Sequence, residues 1–246
     1  MRRFDLGIEV IKKAGKYLKE RIDYTCKLKE FRYDIKLRQD IESEKIITEN
    51  IKRFFPYDSF LCEESGLEGN KNDNLWIIDP LDGTLNFSRG IPHCCISIAF
   101  LGKDEKFGII YDFFREEIFT GIEGQGAYLN GKKIEVSDID KIENAILSIG
   151  FMVGEKEVNY GMDILEGIIK KVKRIRMMGS ASLDFAYLSC GRIDFLIHLN
   201  LKRWDYEAGK IILQQAGGKF FEEEKNGIKI IKGTNKRLNL NYEEPI

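Results

Sequence analysis

Apolar positions near the start of the chain recur with the period of a helix. Phe4, Ile8, Ile11, Leu18 and Ile22 fall at spacings of three, four and seven, which predicts an amphipathic helix with a charged outer face. Lys27 to Asp40 has no such period and reads as a polar loop carrying Asp34 and Asp40. Ile47, Ile51 and Phe55 mark the inner face of a second helix from Ile41 to Phe55, which Pro56 ends. Ser59 to Cys62 is a short strand that delivers Glu63 and Glu64, and Ser65 to Asn74 is again a polar loop. Trp76, Ile77 and Ile78 form an apolar run of the kind found in a buried strand. Asp79 follows, and Pro80, without an amide hydrogen, is expected to stop the ladder there.

Ile96 to Leu101, Phe107 to Tyr111 and Glu117 to Ile122 read as neighbouring strands, rich in β-branched and aromatic residues. Gly121, Gly124 and Gly126 have the spacing G-x-x-G-x-G with no helix behind them, so a dinucleotide loop is rejected. Asn130-Gly131 is a hairpin turn. Ala145 to Ile149 opens a second half, followed by a helix marked by Met162, Leu165, Ile169 and Val172, then a strand from Ile175 to Met178. Ser180 or Ser182 suits the N-cap of a helix reaching about Cys190. Arg192 to Leu199 is a strand, Asp205 starts a helix that ends at Gly217-Gly218, and a last hairpin turns at Asn226-Gly227. Helices, then strands, then alternating helix and strand indicate layered α+β structure. The expected divide lies near Glu143, giving subdomains 1–142 and 143–246 with a site between them.

Composition narrows the function. With 39 basic and 40 acidic side chains, the chain has no nucleic-acid footprint. Its longest apolar run, Cys94 to Leu101, is far below the ~18 residues of a membrane span, and the first ten residues lack a signal-peptide pattern. Five cysteines without C-x-x-C spacing suit reduced cytoplasmic thiols better than a disulfide framework.

The chemistry concentrates at Trp76 to Phe87, W-I-I-D-P-L-D-G-T-L-N-F. Two carboxylates around a proline turn, Asp79 and Asp82, converge only if a proton or a cation sits between them. Oxygen donors suit a hard divalent ion, Mg²⁺, Ca²⁺ or Mn²⁺. Gly83 permits a bend whose bare amides can face an anion. Each feature alone has a plainer reading: Asp-Gly is a common turn, Glu63-Glu64 a solvated acidic pair, Asp205 an N-cap, and a lone His198 at a strand end a structural residue. Together they favour a metal-phosphate site.

This stretch closely resembles the first signature of the inositol monophosphatase family of Mg²⁺-dependent phosphatases. Trp204-Asp205-Tyr206-Glu207-Ala208-Gly209, closed by Ala216-Gly217-Gly218, resembles the second, and the resemblance spans nearly the whole chain. It implies alternating α-β-α-β-α layers and a homodimer. It also implies two or three Mg²⁺, with Mn²⁺ an alternative, held by Glu63, Asp79, Asp82, Asp205 and the Leu81 carbonyl. The Gly83 and Thr84 amides would hold phosphate, while Glu63 and a Thr84–Asp40 pair would orient the attacking water. Leu37 departs from the family, which often has Thr there.

The resemblance implies a small phosphorylated polyol or sugar as substrate, inositol 1-phosphate first. Fructose 1,6-bisphosphate and 3′-phosphoadenosine 5′-phosphate are the alternatives, the last disfavoured by uncharged Leu85 after Thr84. Arg176, Ser180 and Ala181 match the family's sugar-side loop. His198 stands where inositol enzymes carry a ring-binding Glu, which suggests a broader substrate range. A regulatory metal-binding protein without turnover is the reading of another class; the complete ligand set argues against it.

Overall fold

The computed structural model describes residues 2–21, 27–30, 35–69, 74–151 and 154–238, with 27–30, 35 and 36 as backbone only. Ile22 and Asp34 lie outside the described residues. Helix α1 (Arg3–Glu20) buries Val10, Ile11, Ala14 and Leu18, the face its spacing predicts. The segment read as a loop before Asp40 contains two short antiparallel strands, β1 (Lys27–Glu30) and β2 (Ile35–Leu37). Helix α2 (Arg38–Phe54) begins earlier than expected, so Asp40 belongs to its first turn.

An eight-stranded sheet follows. Its strands are β3 (Ser59–Cys62), β4 (Gly66–Glu68), β5 (Leu75–Asp82), β6 (Cys95–Leu101), β7 (Lys106–Asp112), β8 (Glu117–Ile122), β9 (Gly126–Leu129) and β10 (Lys132–Ile134), in the order β10-β9-β8-β7-β6-β5-β3-β4. β4 lies within the stretch read as a polar loop. A five-residue helix, α3 (Thr84–Ser88), leaves the end of β5. Asn130 and Gly131 both have positive φ, 48° and 77°, as a type I′ hairpin needs. Contrary to expectation, Pro80 does not stop β5. It falls between Asp79 and Asp82, where the register with β6 shifts, so the ladder asks for no amide hydrogen at that point.

The second sheet has five strands in the order β12-β11-β13-β15-β14. They are β11 (Ile146–Phe151), β12 (Arg174–Arg176), β13 (Phe195–Leu199), β14 (Lys219–Lys225) and β15 (Ile228–Thr234), joined by helices α4 (Glu155–Ile168), α5 (Ala181–Ser189) and α6 (Arg203–Gln215). α4 buries Ile164 and Ile168, while Met162 and Ile169, two of the residues that mark this helix in the sequence, are about half exposed. β13 starts at Phe195 rather than Arg192, because Asp194 takes the Ile146 amide at 2.7 Å and a Ser137 hydroxyl, ending the strand in a side-chain lock.

Alternation along the strands sorts the core into three clusters. Trp76 and Ile78 of β5 pack with α1 and α2. Ile77 faces the other way, with α5 and α6. Leu196 of β13 joins that middle layer, whereas Phe195, Ile197 and Leu199 pack with Ile164 and Ile168 of α4. The result is the α-β-α-β-α sandwich. Two glycines let α6 lie close on the first sheet: Gly108 and Gly121 are register partners, and a Cβ on Gly121 would stand 2.7 Å from the Ile212 Cα. A Cβ on Gly108 would overlap the Ala208 backbone. Gly121, set aside as a nucleotide-loop glycine, is a packing residue that fixes the height of α6 and hence of Asp205.

Candidate active site

Local backbone brings the acidic residues together. β3 runs parallel to β5 with Cys62 beside Ile78, so Glu63 arrives next to Asp79, and its amide bonds the Ile78 carbonyl at 3.2 Å. The two carboxyls are close enough to share a proton. Asp79 is buried and takes the Leu81 amide at 3.0 Å, while the Ser43 hydroxyl on α2 holds the Pro80 carbonyl at 2.9 Å. Gly83 turns the chain at φ 87°, with no room for a side chain: a Cβ would stand 3.0 Å from the His93 carbonyl. The Asp82 Oδ2 accepts from Ser180 Oγ at 2.6 Å and from the Ser182 amide at 2.7 Å. Asp205, third residue of α6, accepts the Lys202 amide at 2.6 Å, and its carbonyl takes the Ser182 hydroxyl at 2.9 Å.

Glu63, Asp79, Asp82, Thr84, His198 and Asp205 line one cleft of about 260 Å³, together with Leu81, Gly83, Ser180 and Ala181. That volume suits a small metabolite. Two expected members are elsewhere. Arg176 is exposed on edge strand β12, its guanidinium on the neighbouring Ile175 carbonyl at 3.0 Å, and does not line the cleft. Asp40 is buried beside it, and its carboxylate takes the Leu37 amide at 2.7 Å. Leu37 has no side-chain oxygen to cap α2, so Asp40 does the capping from the third position. The expected Thr84–Asp40 bond is corrected as well. A hydroxyl has one hydrogen, and Thr84 gives it to the Leu81 carbonyl at 2.9 Å to close the turn into α3.

The charges in the cleft are mutually unfavourable. Desolvation, then the Asp205 charge, pushes the Glu63 carboxyl well above its ordinary value. Asp79 rises well above its own through desolvation, then Glu63, Asp82 and Asp205. Desolvation also raises Asp82, against the pull of the Ser180 and Ser182 bonds. Asp205 is raised to about 7 by desolvation and then Asp82. Among the described residues no three His, Cys or acidic side chains form a ready metal cage; the carboxylates line an open cleft. The donor chemistry is nevertheless that of a hard cation: several carboxylates that raise one another's proton affinity, and a carbonyl, with no Lys or Arg among the lining residues.

One part of the site was missed in the sequence. Asp184, fully buried in α5, accepts from Ser148 Oγ at 2.8 Å and lies 2.9 Å from His198 Nε2. The signal was a lone acid in the apolar run Leu183 to Leu188. Gly150, register partner of His198, makes room for the imidazole, since a Cβ there would press on the ring at Nδ1 and Cε1.

A five-layer α-β-α-β-α sandwich with a carboxylate-lined cleft defines the architectural class of the molecule. The chain belongs to the inositol monophosphatase family, which it matches over residues 3–238. It is 37% identical to the fructose-1,6-bisphosphatase/inositol-1-monophosphatase of Thermotoga maritima over 222 residues, 89% of this chain and 84% of that one. It is 37% identical to the Nus factor SuhB of Vibrio cholerae over 220 residues, 87% of this chain and 82% of the other. Its fold matches the extragenic suppressor protein suhB from Bartonella henselae with a TM-score of 0.87 and 30% identity, covering 95% and 94% of the two chains. The chain is thus a phosphatase of a metal-dependent family. No helix among the described residues is long and apolar enough to cross a membrane, and the described cysteines, Cys62, Cys94, Cys95 and Cys190, are free.

Proposed function

We propose that this phosphatase hydrolyses the phosphate monoester of a small polyol, inositol 1-phosphate first and fructose 1,6-bisphosphate second, with Mg²⁺. The observation that carries the reading is the convergence of Glu63, Asp79, Asp82 and Asp205 on one cleft beside the Gly83 turn. These carboxylates and the Leu81 carbonyl would hold the cation. Bound there, it supplies charge neutralisation and lowers the pKa of water. The chain's own groups do the rest. Glu63, among the carboxylates that line the cleft, orients the attacking water. The Gly83 and Thr84 amides hold phosphate oxygens, and the Thr84 hydroxyl, fixed on Leu81, orients the water without help from Asp40.

Ser180, Ala181 and His198 form the wall that meets the polyol. With Nε2 committed to Asp184, His198 has only Nδ1 left to bond a ligand, and the buried anion beside the ring offsets any positive charge on it. Attraction of a second phosphate is therefore weaker than the lone imidazole suggested, which ranks the bisphosphate second. The Thermotoga maritima relative carries both activities in its name. Phosphate release from inositol 1-phosphate, fructose 1,6-bisphosphate and 3′-phosphoadenosine 5′-phosphate, with Mg²⁺ and with chelator, tests the reading. Highest kcat/KM on the nucleotide, or full activity in chelator, overturns it.

A further inference from the structure

Asn86, the third residue of α3, takes no part in the chemistry above, yet its carboxamide bridges the segment after α3 and the loop that leads into α5. Nδ2 donates to the His93 carbonyl at 2.8 Å and to the Met178 carbonyl at 2.8 Å, with a longer approach to the Gly179 carbonyl at 3.4 Å. An amide nitrogen has two hydrogens, so the two short bonds use both. The first closes the turn after α3, where the Asn86 carbonyl also takes the Arg89 and Ile91 amides at 3.1 and 2.9 Å. The second reaches the other half of the molecule, at the peptide that leads into α5.

That peptide fits closely. Gly179 has φ 80°, and a Cβ there would stand 3.1 Å from Asn86 Nδ2. The residues just beyond it, Ser180 and Ser182, are those that bond Asp82 Oδ2. Two residues of one turn, Asp82 and Asn86, therefore grip two points of one loop. Two points fix the orientation of that loop, where a single contact would leave it free to pivot.

We infer that Asn86 is a positioning residue that pins the start of α5, so that Ser180 and Ser182 keep Oδ2 of Asp82 engaged and leave Oδ1 for the cleft. Loss of the clamp frees the loop from Met178 to Ser182, and Asp82 loses its fixed direction. The consequence is weaker cation binding and a slower chemical step, rather than a simple loss of stability. The inference rests on the reading of Asp82 as a cation ligand.

Asn86→Asp keeps the shape and replaces both N–H donors by an acceptor facing two carbonyls. Gly179→Ala presses on the same contact from the other side and serves as a second probe should Asn86→Asp fail to fold. Titration calorimetry with Mg²⁺ alone, free of substrate, should show binding about tenfold weaker, one hydrogen bond's worth. In steady-state kinetics kcat should fall more than KM rises. Mg²⁺ affinity and kcat/KM within twofold of wild type overturn the inference, as does a loss confined to melting temperature. Failure of the wild type itself to bind Mg²⁺ would sink the ligand reading, and this inference with it. Normal wild-type binding with unaltered variants sinks the inference alone.

Discussion

The Asp82 carboxylate, at the end of β5, takes the amide hydrogen of Ser182 at 2.7 Å, from the first turn of α5. Helix N-terminal amides favour an anion there, while desolvation beside other acids disfavours one. Asp82→Asn removes the charge and keeps an acceptor for Ser182. Turnover should drop by ~10³-fold or more, the scale of losing a key electrostatic group. In chelator the variant should melt at or above the wild-type temperature, since one repulsive anion is gone. Wild-type-like kcat, or a cooperative fold lost altogether, would contradict this account.

Thr84 holds its hydroxyl on the Leu81 carbonyl at 2.9 Å. Thr84→Ala should cut kcat by ~10²-fold with a smaller change in KM, because orientation counts chiefly in the transition state. Thr84→Ser, which keeps the hydroxyl, should recover most of the rate. Asp40→Asn should act through the start of α2 and cost less rate than Thr84→Ala. Kinetics that show a KM effect alone would make Thr84 a substrate contact only.

Melting curves in chelator should depend on pH in a defined direction. Glu63, Asp79, Asp82 and Asp205 all hold protons more tightly folded than unfolded. Their contribution is complete below the ordinary carboxylate value of ~4. It is lost as pH rises through the folded values, about 7 for Asp205. The metal-free protein should thus melt progressively lower from pH 5 to pH 8. Saturating Mg²⁺ at pH 8 should restore ~5–10 °C, from the linkage gained at a hundredfold excess over Kd. A metal-free melting temperature that rises over this range would refute the electrostatic picture.

His198→Glu sets a carboxylate in the cleft and against Asp184. Selectivity, as the ratio of kcat/KM values, should move towards inositol 1-phosphate by about tenfold, or ~1.4 kcal/mol. The variant should also melt lower, because two buried carboxylates then compete for the Ser148 hydroxyl. Measuring both substrates on both proteins at saturating Mg²⁺ decides the first point. An unchanged ratio would leave His198 a structural partner of Asp184.

The stretch around β5 was the most legible part of the chain. An apolar strand, a proline between two acids and a glycine each dictate local geometry, and β3 and β8 likewise run where their composition placed them. Elsewhere the determinants are non-local. β1 and β2 are only four and three residues long, too short for any periodicity to announce them. In α4 several apolar residues compete for the inner face, and only the second sheet selects Ile164 and Ile168 over Met162 and Ile169. Pro80 misled because a register break lies beneath it, a property of β6 as much as of β5. Asp184 and Arg176 show the same limit for the site. Burial of the first and exposure of the second depend on which elements pack over them.

The cleft draws Asp82 and Asp205 from widely separated parts of the polypeptide, and α6 lies close on the first sheet over Gly108 and Gly121. A ribosome-bound chain therefore carries the signature acids of β5 long before it can use them. Until α5 docks, Asp82 lacks the amide of Ser182, and until α6 follows, those acids stand without Asp205. Occupation by a cation would thus require that β5 and α6 have both been made and packed against one another.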